Sequence, residues 1–203
     1  MRTRIAVLVS GGGTNLQALI DAQRRGDIPD GDIALVISNN AAAYALERAK
    51  AAGIETAVCL WEAGESRLDF ERKVLRALEA HSIQMIILAG FMAILSADFV
   101  GRYPERIINV HPSLIPSFCG EGYYGLRVHR AALDYGVKVT GATVHYVNEI
   151  PDGGRIIAQR AVDIQPGDTP ETLQRRVMEQ AEWILLPRAA EAVAKRIRQE
   201  AEQ

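Results

Sequence analysis

Residues 5–17 have the sequence Ile-Ala-Val-Leu-Val-Ser-Gly-Gly-Gly-Thr-Asn-Leu-Gln, and the predicted architecture follows from them. The first five residues, 5–9, are a continuous apolar run, which is typical of a strand buried on both faces of a parallel sheet. After the glycines, Leu16, Leu19 and Ile20 recur at helical spacing. A strand, a glycine turn and a helix in this order predict an α/β fold.

The alternation of strand and helix continues along the chain. Further buried strands are predicted at 33–37, 55–60, 85–88 and 107–110, and helices at 41–52, 66–81 and 128–135. We therefore expect an open, mostly parallel, twisted sheet that is covered by helices on both faces.

The C-terminal part of the chain has a different pattern. Two strands, predicted at 137–147 and 155–164, are joined by a short turn, so they should form an antiparallel pair. Residues 168–171, Asp-Thr-Pro-Glu, then open a long C-terminal helix, which Pro187 is expected to bend or divide. One domain over residues 1–203 accounts for the whole pattern.

Composition and charge limit the classes of partner. A formal net charge of -2 gives no reason to expect nucleic acid or an anionic membrane surface, so we expect small-molecule substrates. The absence of a bilayer-length apolar run and of a secretory signal predicts a cytoplasmic protein. The sequence leaves open whether it is a monomer or a homodimer. Cys59 and Cys119 suggest no disulfide framework, and no zinc-ligand spacing occurs, so no metal is expected.

The glycine turn after the first strand is a candidate anion site. Backbone N–H groups and the positive end of a helix collect phosphate at such a turn, and Thr14 or Asn15 can add side-chain donors. The dinucleotide fingerprint would need glycine in place of Leu16 and an acid near Asn39 and Asn40, and the Walker lysine is missing. These differences argue against a dehydrogenase or a P-loop enzyme and leave a phosphate cradle or a simple tight turn.

A second polar segment lies at the end of the fifth predicted strand. Residues 107–116 have the sequence Ile-Ile-Asn-Val-His-Pro-Ser-Leu-Ile-Pro. Asn109 and His111 are two apart in an extended chain and therefore project from one face. Pro112 holds His111 extended, which favours a rigid site. The alternative is an ordinary capping or turn feature at a strand end.

Two further features are compatible with ligand binding. The loop at 89–96, Ala-Gly-Phe-Met-Ala-Ile-Leu-Ser, is unusually apolar, so it either packs under another segment or forms the wall of a pocket for a flat ligand. Arg67 stands in the first turn of a predicted helix, where a cation is unfavourable for the helix dipole. It is either a solvated surface residue or one placed to meet an anionic ligand.

Four motifs, in order, make the chain resemble the phosphoribosylglycinamide formyltransferases of de novo purine synthesis along nearly its full length. They are Ser-Gly-Gly-Gly-Thr-Asn-Leu-Gln at 10–17, Leu-Ala-Gly-Phe-Met at 88–92, Asn-Val-His-Pro-Ser-Leu-Ile-Pro at 109–116, and Val-His-Tyr-Val followed by Asp-Gly-Gly at 144–147 and 152–154. The resemblance implies a Rossmann-like formyltransferase fold. It also implies direct transfer of a formyl group from 10-formyltetrahydrofolate to the amine of glycinamide ribonucleotide within a ternary complex.

The resemblance further implies roles for individual residues. The catalytic set is Asn109, His111 and Asp152; the ribonucleotide-binding set is Gly12, Gly13, Thr14, Asn15 and Glu182; the folate-binding set is Arg67, Met92, Ala93, Ile94, Leu95 and Asn109. A carboxylate at Asp152 is expected to raise the pKa of His111. Residues 117–125 are expected to form a mobile flap, and His129 and His145 to be structural, satisfying local hydrogen bonds.

Three other functions remain as alternatives. A formyltetrahydrofolate hydrolase would use the same trio with water as acceptor, but its relatives carry an extra N-terminal domain, whereas this sequence starts at the first strand. A methionyl-tRNA formyltransferase would need a further C-terminal domain and a basic surface for tRNA. A non-catalytic phosphate-binding module would retain the glycine turn but would have no use for Asn109, His111 and Asp152 together.

Overall fold

A computed structural model describes residues 1–202 as one seven-stranded sheet with helices packed against it. The strands are β1 (Thr3–Val9), β2 (Gly31–Ser38), β3 (Glu55–Val58), β4 (Met85–Leu88), β5 (Ile107–His111), β6 (Val139–Tyr146) and β7 (Ile156–Asp163). The helices are α1 (Thr14–Arg25), α2 (Tyr44–Ala51), α3 (Arg67–Ala80), α4 (Ala97–Gly101), α5 (Leu126–Tyr135), α6 (Pro170–Val177) and α7 (Trp183–Ala201).

The sheet has the strand order β3-β2-β1-β4-β5-β6-β7. Strands β1 to β5 pair in parallel, whereas β6 is antiparallel to both β5 and β7. The predicted open, mostly parallel sheet and the antiparallel pair toward the C-terminus are therefore confirmed. Because β1 and β5 are parallel and separated only by β4, their carboxyl ends lie at the same edge of the sheet.

Both faces of the sheet carry an apolar core. In β1, Ile5 and Val7 pack into a cluster with α1, α2 and α7, whereas Ala6 and Leu8 pack into a second cluster with α3 and α4. This arrangement explains the unbroken apolar run of β1, since neither face of the strand meets water. Helices on both faces are confirmed. Among residues 1–202, no helix combines the length and the apolar character needed to cross a membrane.

Several predicted boundaries needed correction. The third strand ends at Val58 rather than at residue 60, the second helix begins at Tyr44 rather than at 41, and the strands predicted at 137–147 and 155–164 are each shorter by two or three residues. The short helix α4 was not predicted. Its start is visible in the sequence, because the hydroxyl of Ser96 accepts a hydrogen bond from the Phe99 amide as an N-cap.

Pro187 was predicted to bend or divide the last helix, and it does not divide it. Helix α7 runs through Pro187, and the regular α-helix is instead interrupted earlier by a π-helical turn at Met178–Glu182. The missing N–H of Pro187 would have paired with the carbonyl of Trp183, which is the first residue after this turn. The missing hydrogen bond therefore lies in the first turn of α7, next to the π-helical turn where the regular α-helical hydrogen bonding is already interrupted.

One glycine of β6 gives a test of the sheet packing. A Cβ on Gly141 would lie 2.0 Å from the carbonyl oxygen of Arg160 in the adjacent strand β7. Because that atom belongs to the backbone, we expect Gly141→Ala to lower the free energy of unfolding by about 1–3 kcal/mol. Urea denaturation with a spectroscopic readout measures this loss.

The matched control is Gly101→Ala at the end of α4, where an added Cβ meets no atom within 4 Å. Alanine has the higher helix propensity, so this variant should unfold at an unchanged or slightly higher urea concentration. Equal stability of the Gly141→Ala protein and the unmodified chain would contradict the register of β6 and β7.

Candidate active site

Asn109, His111 and Asp152 converge at the carboxyl end of β5. Asn109 and His111 lie in β5, and Asp152 lies in the turn after β6, with a φ of 55°. The Nδ1 atom of His111 is 3.3 Å from Oδ2 of Asp152, and Nδ2 of Asn109 is 3.5 Å from its Oδ1. An amide, an imidazole and a carboxylate are thus within contact distance although the acid is distant in sequence.

The segment at 117–125, predicted to be a mobile flap, is joined to two of these groups. Nε2 of His111 lies 2.9 Å from the carbonyl oxygen of Phe118, and the amide of Gly120 donates to Oδ2 of Asp152 at 2.9 Å. Since a carbonyl oxygen is only an acceptor, Nε2 of His111 must carry a proton. The nitrogen of His111 that gains or loses a proton is therefore Nδ1, which faces Asp152.

A fourth polar group, His145, was missed as a member of this cluster. It lies opposite Asn109 in the register of β5 and β6, and its Nε2 is 3.2 Å from Nδ2 of Asn109 and 3.5 Å from Oδ1 of Asp152. Its Nδ1 is 2.7 Å from the carbonyl of Tyr146. The prediction that His145 satisfies a local hydrogen bond is correct for Nδ1, but Nε2 contacts the site. His145 joins the site because it pairs with Asn109 across the two strands, and the sequence alone does not give this register.

Burial controls the charges of this cluster. Burial lowers the pKa of His111, and it outweighs the neighbouring Asp152, which raises that pKa as expected, so the net pKa lies below its usual value. Burial would by itself raise the pKa of Asp152. The hydrogen bond with His145, the His111 charge and the Gly120 amide together hold that pKa below its usual value. The resting site therefore combines a carboxylate with an imidazole that favours its neutral form.

His129 was predicted to be a structural residue that satisfies local hydrogen bonds, and the structure shows a different environment. Its ring is fully buried in α5, and neither ring nitrogen has a hydrogen-bond partner among residues 1–202. Burial, reinforced by the nearby His111, lowers the pKa of His129 to about 4. The expected local hydrogen bonds are therefore absent within the described chain, and the ring is neutral at physiological pH.

Two cavities meet at the trio. The larger, about 430 Å³, is bounded by the loop after β4, the flap and the end of β5, and the smaller, about 120 Å³, lies against the turn after β6. Both are lined by Phe91, Ile94, Asn109, Pro151 and Asp152. Asn109 and Asp152 therefore face the junction of the two spaces.

The apolar loop after β4 forms a wall of these cavities, as one of the two interpretations of its sequence predicted. Met92 lines the larger cavity, Ala93 and Leu95 line the smaller, and Ile94 lines both. The buried carboxylate of Glu71 anchors the end of this loop by accepting hydrogen bonds from the amide of Ser96 at 2.6 Å and from its hydroxyl at 2.5 Å.

Arg67 is not brought into this wall. It is the first residue of α3, its side chain is exposed, and it is not among the residues of the described chain that line either cavity. Of the positions that the sequence analysis assigned to one ligand, the loop residues thus lie together and Arg67 lies apart. The solvated-surface interpretation fits its position in this structure.

The glycine turn lies beside the loop that lines the larger cavity. Gly13 is the N-cap of α1 with a φ of 72°, and a Cβ there would lie 2.6 Å from Cβ of Ala45 in α2. The amide of Ser10 donates to the carbonyl of Gly90 at 3.1 Å, and the amide of Met92 donates to the Ser10 hydroxyl at 2.9 Å. By helix geometry the first amides of α1 have no intrahelical acceptor, so they can bind an anion.

The glycine turn is also joined to the C-terminal helical region, through Asn15 and Glu182. Nδ2 of Asn15 donates to Oε2 of Glu182 at 2.6 Å across the π-helical turn, and Thr14 contacts the sulfur of Met178 at 3.7 Å. The Glu182 side chain is almost fully buried, and burial raises its pKa to about 7. The structure therefore brings together two residues that the sequence analysis assigned to the same ligand.

Comparison with known proteins relates this chain to one family. The model of the formyl transferase family matches residues 3–189. Phosphoribosylglycinamide formyltransferase of Haemophilus influenzae is 45% identical over 177 residues, which cover 87% of this chain and 81% of that protein. The human trifunctional purine biosynthetic protein adenosine-3 is 45% identical over 193 residues, and this chain spans only 18% of its length.

The fold comparison agrees with the sequence comparison. The crystal structure of glycinamide ribonucleotide transformylase 1 from Symbiobacterium toebii superposes with a TM-score of 0.89 at 42% identity, covering 96% of this chain and 88% of that one. The resemblance noted from the four motifs is confirmed, as is the Rossmann-like formyltransferase fold that it implied. With the family model covering nearly all of its sheet and helices, the chain belongs to the formyl transferase family.

Proposed function

We propose that this protein transfers the formyl group of 10-formyltetrahydrofolate to the amine of glycinamide ribonucleotide, giving formylglycinamide ribonucleotide and tetrahydrofolate in purine biosynthesis. The observation that carries the proposal is the convergence of Asn109, His111 and Asp152 at the junction of two cavities. Asn109 and Asp152 line both cavities and His111 lines the larger one, an arrangement that suits a reaction between two bound molecules. The names of the relatives and the family match support the same reaction.

Each cavity suits one of the two substrates. The smaller has apolar walls from Ala93, Leu95 and neighbouring residues, which suits the flat pterin of the folate. The larger lies next to the glycine turn, whose backbone amides suit the ribosyl phosphate. For the exposed Arg67 we propose contact only with an anionic part of the folate that extends into solvent, since its side chain does not line the pterin cavity.

The reaction needs a donor for the charge that develops on the formyl oxygen. The amine nitrogen attacks the formyl carbon, and the carbonyl π electrons move to the oxygen, which becomes an oxyanion. Nδ2 of Asn109, held in β5, is placed to donate to this oxygen. A fixed donor of this kind typically lowers the barrier by about 3 kcal/mol.

His111 and Asp152 handle the proton. The attacking amine becomes positively charged and loses a proton to Nδ1 of His111, either directly or through the Asp152 carboxylate 3.3 Å away. The resulting imidazolium is stabilised by Asp152 and lies near the oxyanion. When the bond from the formyl carbon to the folate nitrogen breaks, the oxyanion reforms a carbonyl and the proton goes to that nitrogen. No covalent enzyme intermediate is needed.

The alternatives differ in the acceptor. A hydrolase would use water, and the glycine turn with Asn15 and Glu182 would then have no ligand; a phosphate-binding module would leave the catalytic trio unused. We therefore favour a small-molecule acceptor with a phosphate, within one catalytic domain that needs neither metal nor nucleic acid. A cytoplasmic location and a monomer or homodimer remain predictions.

The proposed reaction is tested with purified chain, glycinamide ribonucleotide and 10-formyltetrahydrofolate. Formylglycinamide ribonucleotide should form in step with tetrahydrofolate and with little free formate. His111→Ala should lower kcat by about 10²- to 10³-fold, because both the proton acceptor and the charge beside the oxyanion are lost. Product analysis by mass spectrometry and stopped assays measure both quantities.

The matched control is His81→Ala, at the C-terminal end of α3 and away from both cavities. Its kcat should stay within about twofold of the unmodified protein, as for most surface substitutions. Release of formate without formyl transfer would favour the hydrolase, and near-normal turnover of the His111→Ala protein would remove the proposed mechanism.

The pH dependence of kcat follows from the neutral form of His111. Because His111 accepts the proton, kcat should fall as the pH drops through its pKa, which burial holds below the usual value of 6.5. Asp152 raises this pKa, so Asp152→Asn should move the acid limb to lower pH as well as reduce kcat. Profiles at saturating substrates measure the limb; a shift to higher pH in the Asn variant would contradict this assignment.

Glu182 should make folding stability depend on pH. Its pKa rises from 4.5 in the unfolded chain to about 7 in the fold, so the native state binds more protons between these values and stability falls as the pH rises through them. Glu182→Gln cannot titrate. The difference between its free energy of unfolding and that of the unmodified chain should therefore shift in favour of the variant by up to about 3 kcal/mol from about pH 5 to about pH 8.

Glu179→Gln is the matched control, since Glu179 lies in the same π-helical turn but is exposed. Urea denaturation at both pH values should show no pH-dependent difference between this variant and the unmodified protein. A constant margin for the Glu182→Gln protein would show that the Glu182 carboxyl does not titrate in this range.

A further inference from the structure

The phosphate-binding set proposed above contains no cation. It consists of backbone amides at Gly12 and Gly13, two polar side chains, and the carboxyl of Glu182. A phosphate dianion beside a carboxyl group requires a compensating positive charge or a very well oriented set of donors. Helix α2, which packs against the glycine turn, offers a residue that could both supply the positive charge and orient the donors.

Arg48 of α2 is hydrogen-bonded to the glycine turn. Its Nε donates to the carbonyl oxygen of Gly12 at 2.8 Å, and one turn earlier in the same helix the amide of Ala45 donates to the carbonyl oxygen of Gly11 at 3.1 Å. Two consecutive carbonyls of the turn are thus directed toward α2. A carbonyl directed toward the ligand would instead repel an anion.

Because the peptide bond is planar, these two contacts also fix the orientation of the backbone N–H groups that follow the two carbonyls. In a trans peptide the N–H points opposite to the C=O of the preceding residue. Fixing the carbonyl of Gly11 therefore directs the N–H of Gly12 away from α2, and fixing the carbonyl of Gly12 does the same for the N–H of Gly13. Two neighbouring amides then face the same side, which is the arrangement of an anion-binding backbone concavity.

Arg48 is itself held in place before any ligand arrives. Its Nη1 donates to Oε1 of Gln17 in α1 at 3.0 Å, and its guanidinium carbon lies 5.0 Å from the centre of the Tyr44 ring. A side chain fixed on three sides loses little further rotamer freedom when a ligand binds. The guanidinium therefore remains close behind the turn.

We propose that Arg48 is a positioning residue for the phosphate of the acceptor substrate, orienting the amides of Gly12 and Gly13 and supplying the positive charge behind them. This inference rests on the proposed function for the identity of the acceptor. Arg48 does not touch the reacting atoms, so it acts on binding of the phosphate-bearing substrate and leaves the chemical step unchanged.

The test is Arg48→Met, which keeps an unbranched apolar side chain in place of the aliphatic part of arginine and removes the guanidinium with its charge and hydrogen bonds. We expect the KM for glycinamide ribonucleotide to rise about tenfold, with kcat and the KM for 10-formyltetrahydrofolate within about twofold of the unmodified protein. Arg48→Lys should recover part of the loss, because it retains the charge but makes fewer hydrogen bonds. Lys50→Met is the matched control, since Lys50 is an exposed cation of the same helix that pairs with Glu47, and it should change neither KM.

A binding measurement separates this inference from the proposed reaction. Inorganic phosphate, compared with sodium chloride at equal ionic strength, should raise the Tm of the unmodified protein and of the Lys50→Met control, and should raise that of the Arg48→Met protein by less than half as much. This result holds even if no formyl transfer is found. Equal phosphate protection of all three proteins, or an equal rise of both KM values in Arg48→Met, would overturn the role of Arg48.

Discussion

The carboxylate of Asp152 is the contact on which the site depends. It lies within 3.3 to 3.5 Å of His111, Asn109 and His145, and it accepts the amide of Gly120. One carboxylate therefore orients groups from two strands and from the flap. Without it, the side-chain amide of Asn109 and the backbone N–H of Gly120 would lose their common acceptor in a buried space, which is costly for polar groups that have left water.

The parallel sheet places this carboxylate cluster near the glycine turn. The turn follows β1, and Asn109 and His111 lie at the end of β5. The intervening strand β4 ends in the loop whose residues Gly90 and Met92 bind Ser10. Loops at the carboxyl ends of neighbouring parallel strands necessarily share an edge, which is the usual position of ligand sites in open α/β sheets. The wall of the cavity and the anion site are thus connected by one backbone hydrogen bond and by one bond to the short side chain of Ser10.

Burial determines which groups of the site favour their charged form and which favour their neutral form. Burial lowers the pKa of His111 and, at a separate position, raises that of Glu182, because in each case the charged form loses its hydration. A neutral imidazole is able to accept a proton, and Asp152 stays ionised because several donors surround it. Proton transfer between such groups needs no large rearrangement of solvent.

Local patterns were enough to predict the sheet, its parallel strands and the polar segment with Asn109 and His111, because periodicity, glycine turns and strand ends are properties of neighbouring residues. The assignment of Asp152 to the same site came only from the resemblance to a known family. Local patterns were not enough for His145, which joined the site through the register of β5 and β6, or for Arg67, which lay apart. The pKa of His111 also went against the expectation from its neighbour, since burial depends on every segment packed around it. Registers, burial and contacts such as that of Arg48 with Gly12 arise only when distant segments meet, so the tertiary structure alone decides them.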